Sequence, residues 1–292
     1  MNKLFRLLAI CGISVAFATF SNAWAQRYTS VDYPGAIATN LYGSSPDGTY
    51  IGIWTDTGGV THGFFLKRGA FTSFDVPGST STFPYGITSQ GIVVGEYLDA
   101  SGAQHGFILR NGQYTTVDYP GAPGTILDGM NPSGEIVGAH CVNLECDYFH
   151  SFILSSRGQF TSFDPPGATR SIAEAVNPSG AIVGNYNTAS PPNLAHRHGY
   201  LLYMGRFATI DFPGRGNYGT FAGGINPQGE IVGFYDDSHG VDHGFLLRSG
   251  VFTSFDYPGA MYTDAGAIDP AGIIVGFYGD SAGNQHGFIR TP

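Results

Sequence analysis

Apolar residues along this chain come in short runs of four to six, often alternating with polar ones, and Gly, Pro, Asn and Asp clusters separate the runs. That rhythm predicts brief β-strands joined by tight turns, with no stretch of helical period. Residues 220–256 show the pattern in full. A strand over Thr220–Ile225 meets the turn Asn226-Pro227-Gln228-Gly229, and a second strand covers Glu230–Tyr235. Asp237-Ser238-His239-Gly240 turns into a third strand at His243–Leu247. Ser249-Gly250 then leads to a fourth at Phe252–Asp256. Asp bonds its own downstream backbone and Gly supplies a positive φ, which is what such hairpins require.

This unit recurs. The strings YTSVDYPG, FTSFDVPG, YTTVDYPG, FTSFDPPG, FATIDFPG and FTSFDYPG begin at Tyr28, Phe71, Tyr114, Phe160, Phe207 and Phe252, at spacings of 43, 43, 46, 47 and 45. Each copy then carries a Thr or Ser, a turn such as MNPSG, an IVG-like core and an HGF-like string, always in that order. Four antiparallel strands per ~45 residues is the period of a propeller blade. The described order begins on a lone fourth strand, Tyr28–Asp32, and finishes on a third strand, His286–Arg290. Each supplies what the other lacks. The expectation is an all-β, six-bladed β-propeller of four-stranded antiparallel blades, closed by the N-terminal strand completing the last blade; an extended β-array is the alternative. The recurring turn, IVG and HGF strings across residues 28–292 resemble the HAF-type extracellular repeat family, in which His-Ala-Phe stands where this chain has His-Gly-Phe, His-Ser-Phe at His150 or His-Gly-Tyr at His198. The resemblance implies export and repeat architecture and brings no catalytic residues with it.

Composition agrees. The chain holds 44 Gly, 17 Pro, 22 Phe and 17 Tyr, with only 12% charged residues, a balance that favours sheets and turns over helices. Lys3 and Arg6, the apolar run Leu7–Phe20 and Ala23-Trp24-Ala25 read as a signal peptide over residues 1–25, leaving a single domain over 26–292. Ile10 before Cys11 is too large for a lipidation site. Without the leader 11 basic residues face 22 acidic ones, a formal charge of −11, which excludes nucleic acid and anionic lipid as partners. The expected protein is secreted, extracellular or periplasmic, monomeric and without a membrane span. Cys141 and Cys146 are expected to pair in an oxidising compartment, two free thiols being the alternative. No cofactor and no metal site is expected: the chain lacks a phosphate loop, a G-x-S-x-G elbow, HExxH and zinc-ligand spacing.

The residues shared by all six copies read as scaffold. His62, His105, His150, His198, His243 and His286 occupy one slot, where each imidazole is expected to bond backbone. The Asp of each D-x-P-G string is expected to accept backbone N–H groups, as is the Asp opening each D-x-x-G hairpin. Function should lie where copies differ. One column, three residues after the recurrent Thr or Ser, reads Tyr42, Tyr85, Asp128, Glu174, Gly223 and Gly266. Asp128 and Glu174 are candidate ligands for a sugar hydroxyl or a cation, or an acid/base pair of a glycosidase or polysaccharide lyase assisted by Tyr42 or Tyr85; hydrated carboxylates in a wet channel are the plain alternative. Longer loops at Cys141–Tyr148, Asn187–Arg197 and Arg215–Gly219 thicken one face, which carries the candidate ligand-binding residues His140, His196, Arg197, Arg215 and Tyr218, together with Asp147. Glu96 is a lone carboxylate after the IVG core, expected to pair with a neighbouring blade. The leading expectation is a non-enzymatic module binding an extracellular carbohydrate or other polymer. An enzyme using Asp128 and Glu174, and a protein-interaction module, are its rivals.

Overall fold

The computed structural model describes residues 26–188 and 196–292, and every regular element in them is a β-strand. The expected leader and most of the Asn187–Arg197 loop lie outside the described residues. A first strand, β1 (Arg27–Val31), precedes sets of four. These are β2 (Ala38–Ser44), β3 (Thr49–Thr55), β4 (Thr61–Lys67) and β5 (Ala70–Phe74), then β6 (Ser81–Ile87), β7 (Val93–Leu98), β8 (Gln104–Arg110) and β9 (Gln113–Val117). Next come β10 (Thr125–Met130), β11 (Ile136–Cys141), β12 (Phe149–Leu154) and β13 (Phe160–Phe163), followed by β14 (Arg170–Val176), β15 (Ile182–Asn187), β16 (Arg197–Tyr203) and β17 (Arg206–Ile210). The last are β18 (Thr220–Ile225), β19 (Ile231–Asp236), β20 (Asp242–Arg248), β21 (Val251–Phe255), β22 (Tyr262–Ile268), β23 (Ile274–Gly279) and β24 (Gln285–Thr291).

Strands β6–β9, β10–β13, β14–β17 and β18–β21 form four separate antiparallel sheets. The other eight strands form one sheet, in which β2–β5 and the set β22–β24 with β1 meet through a single parallel pair, Ala38 with Gln285. The first strand pairs antiparallel with β24 from Arg27↔Thr291 to Val31↔Gly287. The innermost strands pack in succession, β2 beside β6, then β10, β14, β18 and β22, and β22 returns to β2. A closed circuit results.

Hydrophobic layers between neighbouring sheets hold the circuit together. The third residue of each HGF-like string is the anchor: Phe64, Phe107, Phe152, Tyr200, Phe245 and Phe288 are all fully buried, each worth about 2–3 kcal/mol of apolar burial. The glycine before it leaves room for a neighbouring ring, since a Cβ on Gly244 would stand 2.7 Å from Phe255. Where the third repeat has Ser151 instead, its hydroxyl bonds Ser171 Oγ at 2.6 Å and the Tyr200 hydroxyl at 3.2 Å. Three departures from the repeat thus compensate one another at one buried point, leaving no polar group there unsatisfied.

The scaffold histidines bond carboxylates, not backbone as expected. In all six, Nδ1 lies 2.5 to 3.0 Å from the Asp of a D-x-P-G string: Asp75, Asp118, Asp164, Asp211, Asp256 and, for His286, Asp32 of the first strand. A carboxylate only accepts, so the proton is on Nδ1. Those Asp residues are therefore occupied by imidazole, and the strand exit is fixed by a different group. The recurrent Thr accepts from the backbone N–H that follows the Asp, as in Tyr33 to Thr39 and Tyr257 to Thr263, both 3.0 Å. The hairpin Asp residues behave as expected: Asp56 Oδ1 accepts from the N–H of Gly58 and Val60, and Asp280 Oδ1 from Ala282 and Asn284.

Candidate functional site

Each innermost strand carries a β-bulge at the same place. Leu41 pairs with Gly52 and Gly43 with Ile51, so Tyr42 has no partner in the ladder. The shift recurs at Tyr85, Asp128, Glu174, Gly223 and Gly266. The column in which the six copies disagree is thus the column of bulged residues. A bulge bends its strand and re-aims the extra side chain. The glycine of each IVG string faces the bend, and a Cβ there would lie 1.8 Å from the Phe221 carbonyl oxygen at Gly233 and 2.0 Å from that of Asp264 at Gly276.

The bulged residues line a cavity of about 430 Å³ along the axis of the circuit, within the roughly 300–1,000 Å³ of small-molecule sites. Its wall is built in layers. Ile126, Ile172, Phe221 and Asp264 precede the bulges by two residues, Phe234 and Phe277 come from second strands, and Ser44, Met130 and Ile268 line the far end. Tyr42 packs edge-on against Tyr85 at 5.4 Å and Phe277 at 6.2 Å, and Phe221 stacks on Phe234 at 4.7 Å.

Carboxyl groups are the other component. Asp128 and Asp264 are each 8% exposed, and Asp128 Oδ2 and Asp264 Oδ1 have no hydrogen-bond partner. Burial, reinforced by the charges of Glu174 and Glu96, pushes Asp128 well above the usual carboxylate range. Burial raises Glu174 to about 7 although Asn185 Nδ2 donates to it at 2.7 Å and Arg197 and Arg170 oppose the rise. Asp264 is raised to about 8 by burial and by Asp242, with Arg197 opposing. Glu96 stands behind Tyr85, whose hydroxyl donates to it at 2.8 Å; Gln104 donates to its other oxygen, and burial takes it to about 7. Its partners belong to its own sheet, correcting the expectation of a cross-blade pair. The same burial carries Tyr42 up to about 12. Near neutral pH burial therefore favours the protonated forms of Asp128 and Asp264, set among the two phenols in a wall that is otherwise mostly apolar.

The long loops meet at the end of the cavity where the innermost strands begin. Arg197 N–H donates to Tyr218 O at 3.1 Å and His196 N–H to Asn217 O at 2.9 Å, joining the loops before β16 and β18. Asp236 accepts from the backbone N–H groups of Tyr218 and Gly219 and fixes this corner. A second cavity of about 250 Å³ opens there, lined by Arg197, Tyr218, Asp236 and Asp242, and it shares Phe234 with the first. Arg197 also lies over the Phe221 ring at 5.7 Å.

Of the sequence candidates, Tyr42, Tyr85, Asp128 and Glu174 line the axial cavity, while Arg197 and Tyr218 line the adjoining one. His196 is exposed and lines neither. His140 is placed elsewhere: it stacks on Tyr119 at 3.8 Å, its Nε2 3.3 Å from Ser162 Oγ. It fills the slot that Tyr235 fills against Phe212 and Tyr278 against Tyr257. Arg215 pairs with Asp211 at 3.1 Å beside His198 and is likewise part of the scaffold. Asp147 is held by Asn143 within the disulfide loop, and Cys141 and Cys146 are bonded. The sequence reading missed Asp264, which a comparison of the residues two before each bulge exposes: Asn40, Phe83, Ile126, Ile172, Phe221, Asp264. Among the described residues no group of three potential ligands is placed to hold a metal ion, and no helix is long and apolar enough to cross a membrane.

No model of a known protein family matches the chain, and no curated protein matches it in sequence. Solved structures do. A putative TolB from Agrobacterium tumefaciens matches over 87% of this chain and 88% of its own, with TM-score 0.58 and 16% identity. AofleA from Arthrobotrys oligospora matches over 90% and 86%, with TM-score 0.58 and 11% identity. The fucose-specific lectin from Aleuria aurantia matches over 89% and 93%, with TM-score 0.54 and 10% identity. At these identities the likeness establishes the fold, which is a β-propeller.

Proposed function

We propose that the chain is an exported, monomeric, non-enzymatic propeller of six blades, of the HAF-type extracellular repeat kind, that binds carbohydrate at the loop-bearing mouth of its axial cavity. The blade count treats the eight-stranded sheet as two blades touching at Ala38 and Gln285, the second completed by β1. Export rests on the leader-like first 25 residues and agrees with the Cys141–Cys146 disulfide. The observation that carries the binding assignment is the unequal filling of six equivalent bulges: aromatic rings on two, carboxyls on two, open space at two glycines, in one cavity. Apolar ring faces beside polar groups with unused hydrogen-bonding capacity suit a sugar, which presents one C–H face and a rim of hydroxyls. Arg197, Tyr218 and Asp242 extend the surface toward a chain longer than one residue. That the Aleuria aurantia propeller is a fucose-specific lectin agrees with such use of the fold.

Glycan-array binding by the wild-type chain tests this, with D128N/E174Q and Tyr218→Ala beside it. Loss of signal in both variants with cooperative melting at no lower temperature supports the site; binding that survives both overturns it. One observation favours an enzyme as second reading: Asp128 and Glu174 come from adjacent innermost strands, and the charge of Glu174 contributes to the rise of Asp128. A group held protonated beside one that titrates at about 7 is the kind of acid and carboxylate pair that glycoside hydrolysis uses. Release of reducing ends from bound glycans, abolished by either single isostere, would establish it, and intact glycans after long incubation would dismiss it.

A further inference from the structure

The wall of the axial cavity is divided by chemistry. An aromatic arc runs from Tyr85 through Tyr42 to Phe277, with Phe221 on Phe234 beyond it. Asp128 and Glu174 interrupt the arc on β10 and β14, and Asp264 stands on β22. Two independent features point to a missing partner for these carboxyls. Asp128 Oδ2 and Asp264 Oδ1 are buried without a hydrogen bond, and an orphaned buried acceptor is the exception in folded proteins. The cavity is also large enough for a small organic molecule, while among the described residues no three potential ligands are grouped to hold a metal ion.

We infer that the occupant bears a cationic amine and, resting on the carbohydrate reading above, that it is a hexosamine with a free amino group. An ammonium offers three N–H donors and a full positive charge, so it satisfies unpaired carboxyl oxygens and is attracted to ring faces at once. Set between Asp128 and Glu174, it leaves the C–H face of the sugar against Tyr42 and Phe277 and a hydroxyl for Asp264. The charged groups around this position are Glu96 on β7, Asp242 on β20, and Arg170 and Arg197 at the mouth; Asn40, Asn185 and the Tyr42 and Tyr85 hydroxyls are neutral. Arg170 and Arg197 lie over the rings of Phe149 and Phe221, and these two cations face five carboxyls. The proton balance is simple. The ligand enters as R–NH₃⁺, an acid held neutral by burial becomes carboxylate, and its proton leaves to the buffer.

Titration calorimetry at about pH 7, in two buffers of different ionisation enthalpy, distinguishes the possibilities. The probes are glucosamine, N,N,N-trimethylglucosamine with its fixed charge, N-acetylglucosamine and glucose. The expected result is at least ~10-fold tighter binding of glucosamine than of glucose or N-acetylglucosamine, with proton release, a smaller gain for the trimethylated sugar, which keeps the charge but has no N–H donors, and loss of these preferences in D128N/E174Q. Those isosteres mimic neutral acids, and a melting transition as cooperative as the wild type's and at no lower temperature verifies their fold. Equal binding of glucose and glucosamine overturns the amine while leaving the carbohydrate reading intact. Binding of choline but of no sugar overturns the carbohydrate reading and retains the amine. Binding of neither choline nor any of the four sugars overturns the amine inference, and a glycan array without signal then removes the carbohydrate reading as well.

Discussion

Replacing Asp264 by Asn tests how the cavity wall is held. The side chain is 8% exposed with one oxygen unpaired, and burial lifts it from 3.8 to about 8. Between those values the folded chain keeps a proton that the unfolded chain has released. Stability contributed by this group is therefore fully present in acid, declines as pH rises through the interval and is flat above it. The slope is about 1.4 kcal/mol per pH unit, so some 4 kcal/mol is lost between about pH 5 and about pH 8 from this residue alone. Glu96 and Glu174, each at about 7, act in the same direction. The Asn variant keeps the shape and cannot ionise, so its stability should fall less steeply by that one-proton slope. Urea unfolding followed by circular dichroism at pH 5, 6, 7 and 8 measures both curves. Parallel curves, or a wild-type chain that becomes more stable toward pH 8, would refute the reasoning.

Gly233→Ala drives a Cβ to 1.8 Å from the Phe221 carbonyl at the bulge and should cost about 2–4 kcal/mol, read as a lower melting temperature. Gln in place of His286 removes a ring whose charged form burial opposes but Asp32 and Asp280 outweigh, so its pKa is raised. That stabilisation is present below the ordinary histidine range and lost as pH rises through the raised value, so His286→Gln should destabilise more near pH 5.5 than near pH 8.5 in thermal melts. Cys146→Ser opens a loop of five residues' separation and should cost about 2 kcal/mol in denaturant unfolding, with glycan binding unchanged. Deleting residues 26–32 uncovers the edge of β24 and should give concentration-dependent association in size-exclusion chromatography.

Strand number, order and the β1–β24 pairing were legible because the repeat sets the phase of every element, and the recurrent Thr located the column that lines the cavity. Its bulged geometry was not legible, because it follows from what each innermost strand pairs with. The histidine partners were within reach. His62 and Asp75, His105 and Asp118, His198 and Asp211, and His243 and Asp256 all keep one separation of 13, a constancy that contact requires and backbone bonding does not. His140 misled because Cys141 follows it; the chain neighbours of a loop say little about whether a ring fills an aromatic slot. Asp264 was overlooked since polarity at its layer is ordinary on an exposed strand and costly only when the strand is innermost, a distinction burial alone supplies.

The pairing of Arg27–Val31 with Gly287–Thr291 also orders events in time. Of this pair, β1 leaves the ribosome first and has no partner until β24 exists, about 260 residues later. Closure over so long a loop adds little to its free-energy cost, which grows with the logarithm of length, but non-local contacts form slowly. Until then the nascent molecule is an arc with two free ends, able to accept a neighbour's first strand in place of its own. Once shut, the circuit is stapled within one sheet by five paired residues, Arg27 to Val31, beside the packing of β2 on β22. Amide exchange should begin there, at Tyr28 to Val31, before the other sheets open.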